Sequence, residues 1–183
     1  MTEATRSLLR SLPSLAGRAP LSDFGDLPSD PVTLFLEWLD LARASDVAEP
    51  HAMTLSTVDA SGVPDARILL LKDVDARGWA FASTRNSAKG AQLESQPHAA
   101  LTFWWQPLAR SVRVRGSVVE ASREESLADL RARSAAAQEG VAPDDWTLWR
   151  VEPTRVEFWQ GAPDRHHVRI VYLRDGDGWR IED

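Results

Sequence analysis

The spacing of hydrophobic and polar positions changes several times along the chain, and each change marks an element. Residues 1–31 are rich in Pro, Ser, Gly and Leu and keep no steady period, so they read as an arm with one short helix near Ser7–Leu12. Asp30-Pro31 then opens a helix, because Asp30 supplies a capping carboxylate and Pro31 suits the first helical position. Leu34, Phe35, Trp38, Leu39 and Leu41-Ala42 recur at helical spacing and define one apolar face. From Ala52 the period is two: Met53, Leu55 and Thr57 alternate with Thr54, Ser56 and Val58, which predicts a strand. Asp59 to Gly62 turns the chain, and Asp65 to Asp73 returns as the second strand of a hairpin. Asp75 to Gly78 predicts another turn and Trp79 to Ala82 a third strand. Asn86 or Ser87 caps a short helix that ends near Ser95, before Pro97. Ala99 to Trp105 and Arg110 to Glu120 read as strands joined at Gln106-Pro107. Ser122 caps a helix to about Ala137, with Glu124 and Glu125 in the first turn, where the helix dipole favours acids. Gly140 to Asp145 reads as a loop, and Arg155 to Gln160 and Arg165 to Arg174 as strands. Asp175 to Gly178 turns the chain into a last short strand at Trp179.

About seven short strands with tight turns, and three helices, predict a mainly β chain. The expected architecture is a closed or nearly closed antiparallel barrel with helices on its outside. Two units are expected, an arm at 1–29 and the barrel domain at 30–183. There is no internal repeat and no Gly-rich strand-to-helix turn of the dinucleotide-binding kind.

Composition narrows the function. At 183 residues and 43% apolar content, the chain can bury one domain core. The net charge of −6 argues against a nucleic-acid binder, although a local basic cluster can still hold a small phosphorylated ligand. Without cysteine there are no disulfides, thiolate metal sites or cysteine nucleophiles. His51, His98, His166 and His167 lack the i, i+4 pairing of a helical zinc site, so no metal is expected. No apolar run reaches the length of a membrane span, and the first 17 residues make a poor signal peptide. The expectation is a cytoplasmic protein with no membrane partner. Eight tryptophans stand against one tyrosine, Tyr172, so no other position can supply a phenol.

Three basic clusters are candidates for chemistry. In Arg67-Ile68-Leu69-Leu70-Leu71-Lys72 the two cations fall on opposite faces of an ideal strand, and reach one ligand only if the strand ends or bulges near one of them. Taken alone, the hexamer reads more plainly as a buried strand with charged ends. Ser83-Thr84-Arg85-Asn86-Ser87-Ala88-Lys89 is a polar loop running into a helix N-terminus, which suits either a phosphate or a simple cap. After Phe158-Trp159-Gln160-Gly161 come Arg165, His167 and Arg169, which alternate onto one strand face. Two guanidiniums beside an imidazole repel unless an anion sits between them, and Trp159 is placed to pack beside a flat ring. A charged edge strand is the alternative.

Together these stretches resemble the pyridoxine/pyridoxamine 5′-phosphate oxidase family. The matching residues are Asp30 to Phe35 with Trp38, Ala52 to Thr57, Arg67 to Lys72, Ser87 with Lys89, and Phe158-Trp159-Gln160-Gly161 followed by Arg165-x-His167-x-Arg169. Their order and spacing carry the resemblance, which spans most of the chain. It implies an antiparallel, Greek-key-like split β-barrel with flanking helices, acting as a homodimer with FMN between the subunits. It implies that Arg67, Ile68, Leu69, Leu70, Leu71 and Lys72 line the flavin and its phosphate, and that Ser83 and Lys89 hold that phosphate. Trp159 and Arg169 would contact FMN from the second subunit, and Ser111 stands where the family has a flavin-contacting Gln. Lys72 and Arg133 would pair with the substrate phosphate, while Arg165 and His167, the expected catalytic residues, would lie over the pyridine ring. The implied reaction is oxidation of pyridoxamine or pyridoxine 5′-phosphate to pyridoxal 5′-phosphate, with molecular oxygen as acceptor. Two alternatives stand beside it: oxidation of a reduced aromatic carboxylate, as in the related phenazine-biosynthesis oxidases, or flavin or pyridoxal-phosphate binding without turnover.

The chain also departs from the family. A tyrosine near the substrate phosphate is replaced by Asp129, a second in the arm is missing, and Ala88 replaces an Arg. The family segment after Arg133 is largely deleted, so that Ser134 to Trp149 does not align, and the chain ends at Ile181-Glu182-Asp183, short of the usual Arg-Leu ending. Ser111, Arg113 and Arg115 share one strand face, with solvent the plainest expectation for the two arginines. Trp146 and Trp149 either cover the cleft or belong to the core.

Overall fold

The computed structural model describes residues 2–21 and 24–182. Met1, Ser22, Asp23 and Asp183 lie outside the described residues, and so do the parts of the arm and barrel readings that fall on them.

After α1 (Glu3–Ser11) comes α2 (Pro31–Ala44). The Asp30 carboxylate accepts from the Val32 and Thr33 amides at 3.2 and 2.9 Å, so the cap works as its sequence predicts. The helix turns Leu34, Phe35, Trp38 and Ala42 into the core. Phe35 lies 5.5 Å from the Trp79 ring and 5.0 Å from Phe103, and Trp38 lies 5.2 Å from Phe158. Burial of each such side chain stabilises the fold by roughly 1.5–3 kcal/mol.

Nine strands form one antiparallel sheet: β1 (Ala52–Val58), β2 (Pro64–Leu70), β3 (Asp73–Asp75), β4 (Gly78–Thr84), β5 (His98–Trp105), β6 (Arg110–Glu120), β7 (Trp146–Gln160), β8 (Val168–Asp175) and β9 (Gly178–Ile181). The path runs β2-β1-β5-β6-β7-β4-β3, and β8 and β9 extend from β7. The branch point is β7. Its Trp146–Val151 half pairs with β4, its Arg155–Gln160 half pairs with β8, and β6 runs beside both. Between the halves the register shifts at Arg115/Gly116. A Cβ on Gly116 would meet the Glu152 carbonyl oxygen at 1.9 Å, so glycine alone lets the two strands stay paired through the bend. The curled sheet therefore opens into two halves, a split barrel. Three further helices flank it: α3 (Ala88–Ser95), α4 (Arg123–Ala132) and the single turn α5 (Ala135–Gln138).

Several boundaries differ from those expected. Nine strands replace about seven. The first helix is Glu3–Ser11 rather than Ser7–Leu12, and the helix capped by Ser122 ends at Ala132 because Arg133 is extended (φ −75, ψ 156). The second strand stops at Leu70 and resumes as β3, leaving Leu71-Lys72 as a bend. β7 begins at Trp146 instead of Arg155. Residues 146–151 are buried on both faces, so they show no alternation to read. β8 begins at Val168, which leaves Arg165 and His167 in the preceding loop.

Candidate active site

The first part of the site is a cationic corner where β4 runs into α3. Ser87 caps α3, its Oγ accepting from the Gly90 amide at 3.3 Å and from Lys89 Nζ at 3.1 Å. Ser83 Oγ lies 3.4 Å from Ser87 Oγ. From β2, Arg67 donates to Thr57 Oγ1, to Gln92 Oε1 at 2.9 Å and to Asp65 at 2.6 Å. Lys89 has no ion pair among the described residues. Burial, and then the Arg67 charge, hold its ammonium below the usual 10.5. A half-buried ammonium beside a guanidinium at a helix N-terminus is a charge arrangement that an anion relieves.

The second part is a cavity of about 350 Å³ lined by Leu69, Leu70, Lys72, Ser83, Arg133 and Trp146, with no carboxylate on its wall among the described residues. Lys72 reaches it because β2 has already ended, so Arg67 and Lys72 are not confined to opposite strand faces. The bend is held from behind. The Lys72 amide donates to Ala80 O at 2.8 Å, and buried Arg150 donates to Asp73 at 2.8 Å and to Asp75 at 3.0 Å. Arg133 comes from the end of α4, with its Cζ 4.2 Å from the centre of the Trp146 ring. Its Nη1 is buried and has no hydrogen-bond partner among the described residues. Such a nitrogen costs about 1–3 kcal/mol if nothing accepts from it. Trp146 in turn donates from Nε1 to Asp129 at 2.9 Å.

The third part is the outer face of the sheet. Trp104, Ser111, Trp159 and Arg169 stand opposite one another across β5, β6, β7 and β8. Trp159 lies 5.0 Å from His167 and 6.2 Å from Trp104. His167 Nδ1 accepts from the Ala162 amide at 3.0 Å, which leaves the proton of the neutral ring on Nε2. Glu157, which is buried, collects Arg113 at 2.7 Å, Arg155 at 3.2 Å and Arg169 at 3.3 Å. Burial works to raise its pKa, but hydrogen bonds from Arg113 and Arg155 and the surrounding positive charge hold it below 4.5.

The expected face of Arg165, His167 and Arg169 is thus not a strand face. Arg165 is exposed in a turn with φ 68, and the anion beside Arg169 is Glu157. Within one chain the structure brings together Arg67, Ser83 and Lys89, and separately Leu69, Leu70, Lys72, Ser83 and Arg133. Ile68 and Leu70 are exposed on β2, and Leu71 is half-buried. Ile68 belongs to the cross-strand row of Thr54, Thr102, Arg113 and Glu157, four strand steps from β7. That is roughly 20 Å along the sheet. Trp159 and Arg169, on β7 and β8, are thus separated from β2 by the whole run of β1, β5 and β6 along the sheet. Trp149 is core, while Trp146 is buried in a small cluster with Ala80, Ala82, Leu130 and Leu148 and also walls the cavity. Ser87 caps α3, one of the two residues the sequence offered for that cap, whereas Asp129, Arg150 and Glu157 were not pointed to in these roles. Their partners are distant along the chain, and no periodicity marks them.

Comparison with solved structures gives the class. The crystal structure of PhzG from Burkholderia lata 383, in complex with tetrahydrophenazine-1-carboxylic acid, superposes with a TM-score of 0.83 at 28% identity. It covers 91% of this chain and 98% of that one. A pyridoxamine 5′-phosphate oxidase-related, FMN binding protein from Nostoc punctiforme shares the fold (TM-score 0.64, 19% identity, 87% and 98% coverage). The protein is a split-barrel oxidoreductase. Residues 41–160 match the family profile described as pyridoxamine 5′-phosphate oxidase, and residues 146–183 match the pyridoxine 5′-phosphate oxidase C-terminal dimerisation region. Relatives named pyridoxine/pyridoxamine 5′-phosphate oxidase include that of Bordetella petrii, 41% identical over 84% of this chain and 88% of its own, and that of Thermosynechococcus vestitus, 40% identical over 85% and 88%. The chain belongs to the pyridoxine/pyridoxamine 5′-phosphate oxidase family.

Proposed function

We propose that the protein is an FMN-dependent oxidase that converts pyridoxamine or pyridoxine 5′-phosphate to pyridoxal 5′-phosphate with dioxygen as electron acceptor, and that it works as a homodimer. The observation that carries this reading is the cavity lined by both Lys72 and Arg133, with no acid on its wall among the described residues. Two cations and no carboxylate suit a dianionic phosphate.

The cofactor fits the other corner. Lys89, Arg67 and Ser83 are the residues to hold a ribityl phosphate, with the α3 N-terminus adding its dipole. The chemistry that a bound FMN would supply here is hydride acceptance from the substrate carbon and electron transfer to dioxygen. The protein supplies binding and orientation. Lys72 and Arg133 fix the phosphorylated end of the substrate, which turns the reaction at the other end into a positioned one. Trp159, with its ring against His167, offers a flat wall, and the His167 Nε2 proton and the Arg165 guanidinium offer donors to the substrate ring. Trp159 and Arg169 lie far from β2 in their own chain, and residues 146–183 match a dimerisation region, so in this reading they act on the second copy's β2 side.

A second reading is favoured by the PhzG likeness, at 0.83 in TM-score, and by the exposed arginines Arg113 and Arg115: oxidation of a reduced aromatic carboxylate. Anaerobic bleaching of the bound flavin separates the two. Bleaching by pyridoxamine or pyridoxine 5′-phosphate, followed by peroxide release on admitting air, supports the first. Bleaching only by a dihydro-aromatic acid replaces it with the second. Protein that carries flavin and bleaches with neither, or carries no flavin, removes both in favour of a binding protein without turnover.

A further inference from the structure

We propose that Trp146 and Asp129 are positioning residues for Arg133: Asp129 fixes the Trp146 indole, and the indole holds the guanidinium edge-on to the cavity so that it takes the anionic group of the ligand. The inference rests on the reading of that cavity as a phosphate site and gives Asp129 and Trp146 a joint role that the family resemblance does not imply.

Asp129 and Arg133 are four residues apart, the spacing at which an acid and a base on a regular helix pair with each other. Such a pair would neutralise the one guanidinium in the cavity. The structure avoids it in two ways. α4 ends at Ala132, and the extended backbone of Arg133 takes its side chain off the helical track. The Asp129 carboxylate is occupied elsewhere, accepting from Trp146 Nε1 at 2.9 Å. Trp146 is 6% exposed and is pinned at the first residue of β7, opposite Thr84. Its ring is therefore a rigid surface, and Arg133 Cζ sits 4.2 Å from its centre. A guanidinium lying on an aromatic face keeps its N–H groups in plane and unspent. Here Arg133 lines the cavity together with Lys72 and Ser83, and its buried Nη1 has no hydrogen-bond partner among the described residues. From behind, Gln138 Nε2 donates to the Arg133 carbonyl at 2.7 Å and holds the backbone as well. Asp129 replaces a tyrosine of the resembled family, and its acid does not face the ligand. It is turned into the second layer, where it orients the ring.

The test uses the flavin-loaded protein and two probes with no oxidisable group at the 4-position, 4-deoxypyridoxine 5′-phosphate and 4-deoxypyridoxine. Dissociation constants are measured by calorimetry for wild type, Asp129→Leu, Asp129→Asn, Trp146→Phe and Arg133→Ala. Asp129→Leu removes the indole's acceptor and is expected to weaken the phosphorylated probe by about five- to tenfold, the range of a partly desolvated cation–π contact. The unphosphorylated probe should be unaffected. Asp129→Asn keeps an oxygen acceptor and should bind as wild type does. If Asp129 acted only by its charge, both variants would bind the phosphorylated probe more tightly, and that outcome overturns the proposal. So does equal weakening of both probes, which marks a general packing defect. Should Trp146→Phe fail to fold, the two Asp129 variants still decide. If Arg133→Ala binds the phosphorylated probe as wild type does, the phosphate reading of the cavity fails and the proposal with it. If Arg133→Ala loses that affinity while Asp129→Leu keeps it, only the positioning role falls.

Discussion

The Arg67 guanidinium stands close enough to Lys89 that its charge, added to burial, keeps the Lys89 ammonium below 10.5, even though Asp65 pairs with Arg67 at 2.6 Å. An anion at that corner removes the conflict. Lys89→Ala should therefore lower FMN affinity by about 10–100-fold, the equivalent of one charge-assisted hydrogen bond. Arg133→Ala should leave flavin content near that of wild type and raise KM for the phosphorylated substrate. Flavin absorbance of the purified variants, compared with their steady-state kinetics, checks the split. Equal flavin content in both variants contradicts the assignment.

The same pair gives a pH dependence. In the ligand-free protein Lys89 titrates below 10.5, and a bound phosphate raises it again. FMN binding should therefore take up protons in the alkaline window between those two values. Affinity should be flat below the lowered value and fall as pH rises through it. Calorimetric titrations in buffers of different ionisation heat measure the uptake, and Lys89→Met should abolish it.

Glu157 gives a second titration, of opposite sign. Its folded pKa lies below 4.5, so the stability its charge contributes is fully present above 4.5 and is lost as pH falls through the folded value. Glu157→Gln should flatten that acid limb of the stability curve. It should also cost about 1–2 kcal/mol near neutrality, because Arg113 and Arg169 then lose their anion while Arg155 keeps Glu182 at 3.3 Å. Urea unfolding midpoints across the acid range would show both effects.

Tyr172, the single tyrosine, is a clean spectroscopic probe. Its hydroxyl donates to Pro28 O at 2.7 Å and ties the segment before α2 to β8. Burial, then the charges of Asp30 and Glu37, push its pKa up to about 12. Tyrosinate absorbance should therefore stay absent in the folded protein through the ordinary range near 10. Tyr172→Phe should cost about 1 kcal/mol, read as a lowered Tm.

The parts of the fold that were legible in the sequence are those where one face is wet. Met53, Leu55 and Thr57 alternate because only one side of β1 is buried, and Asp30-Pro31 announces α2 through a local cap. The Trp146–Val151 half of β7 is buried on both sides and carries no such signature. Among site residues, Arg67, Ser83 and Lys89 meet because a strand end and a helix start are each readable. The Arg133–Trp146 stack joins a helix end to a strand across a segment without periodicity, and no local pattern could have shown it. Arg165 was misplaced for a related reason: an alternating charge pattern looks the same in a turn at φ 68 as in a strand.

The single 15-residue β7 carries Trp146 at one end and Trp159 near the other, in register with β4 over its first residues and with β6 from Trp149 to Gln160 apart from one bulge. An insertion or deletion of one codon anywhere between those tryptophans would invert every side chain downstream of it, burying what now faces out. The connection from α4 to β7 has no such constraint. The alignment to the Bordetella petrii relative runs over 185 positions yet uses 84% of this chain, so the relative carries about thirty residues absent here. The connection from α4 to β7 is thus free to change in length, while the strand that spaces the two tryptophans is a ruler that cannot be cut by a single residue.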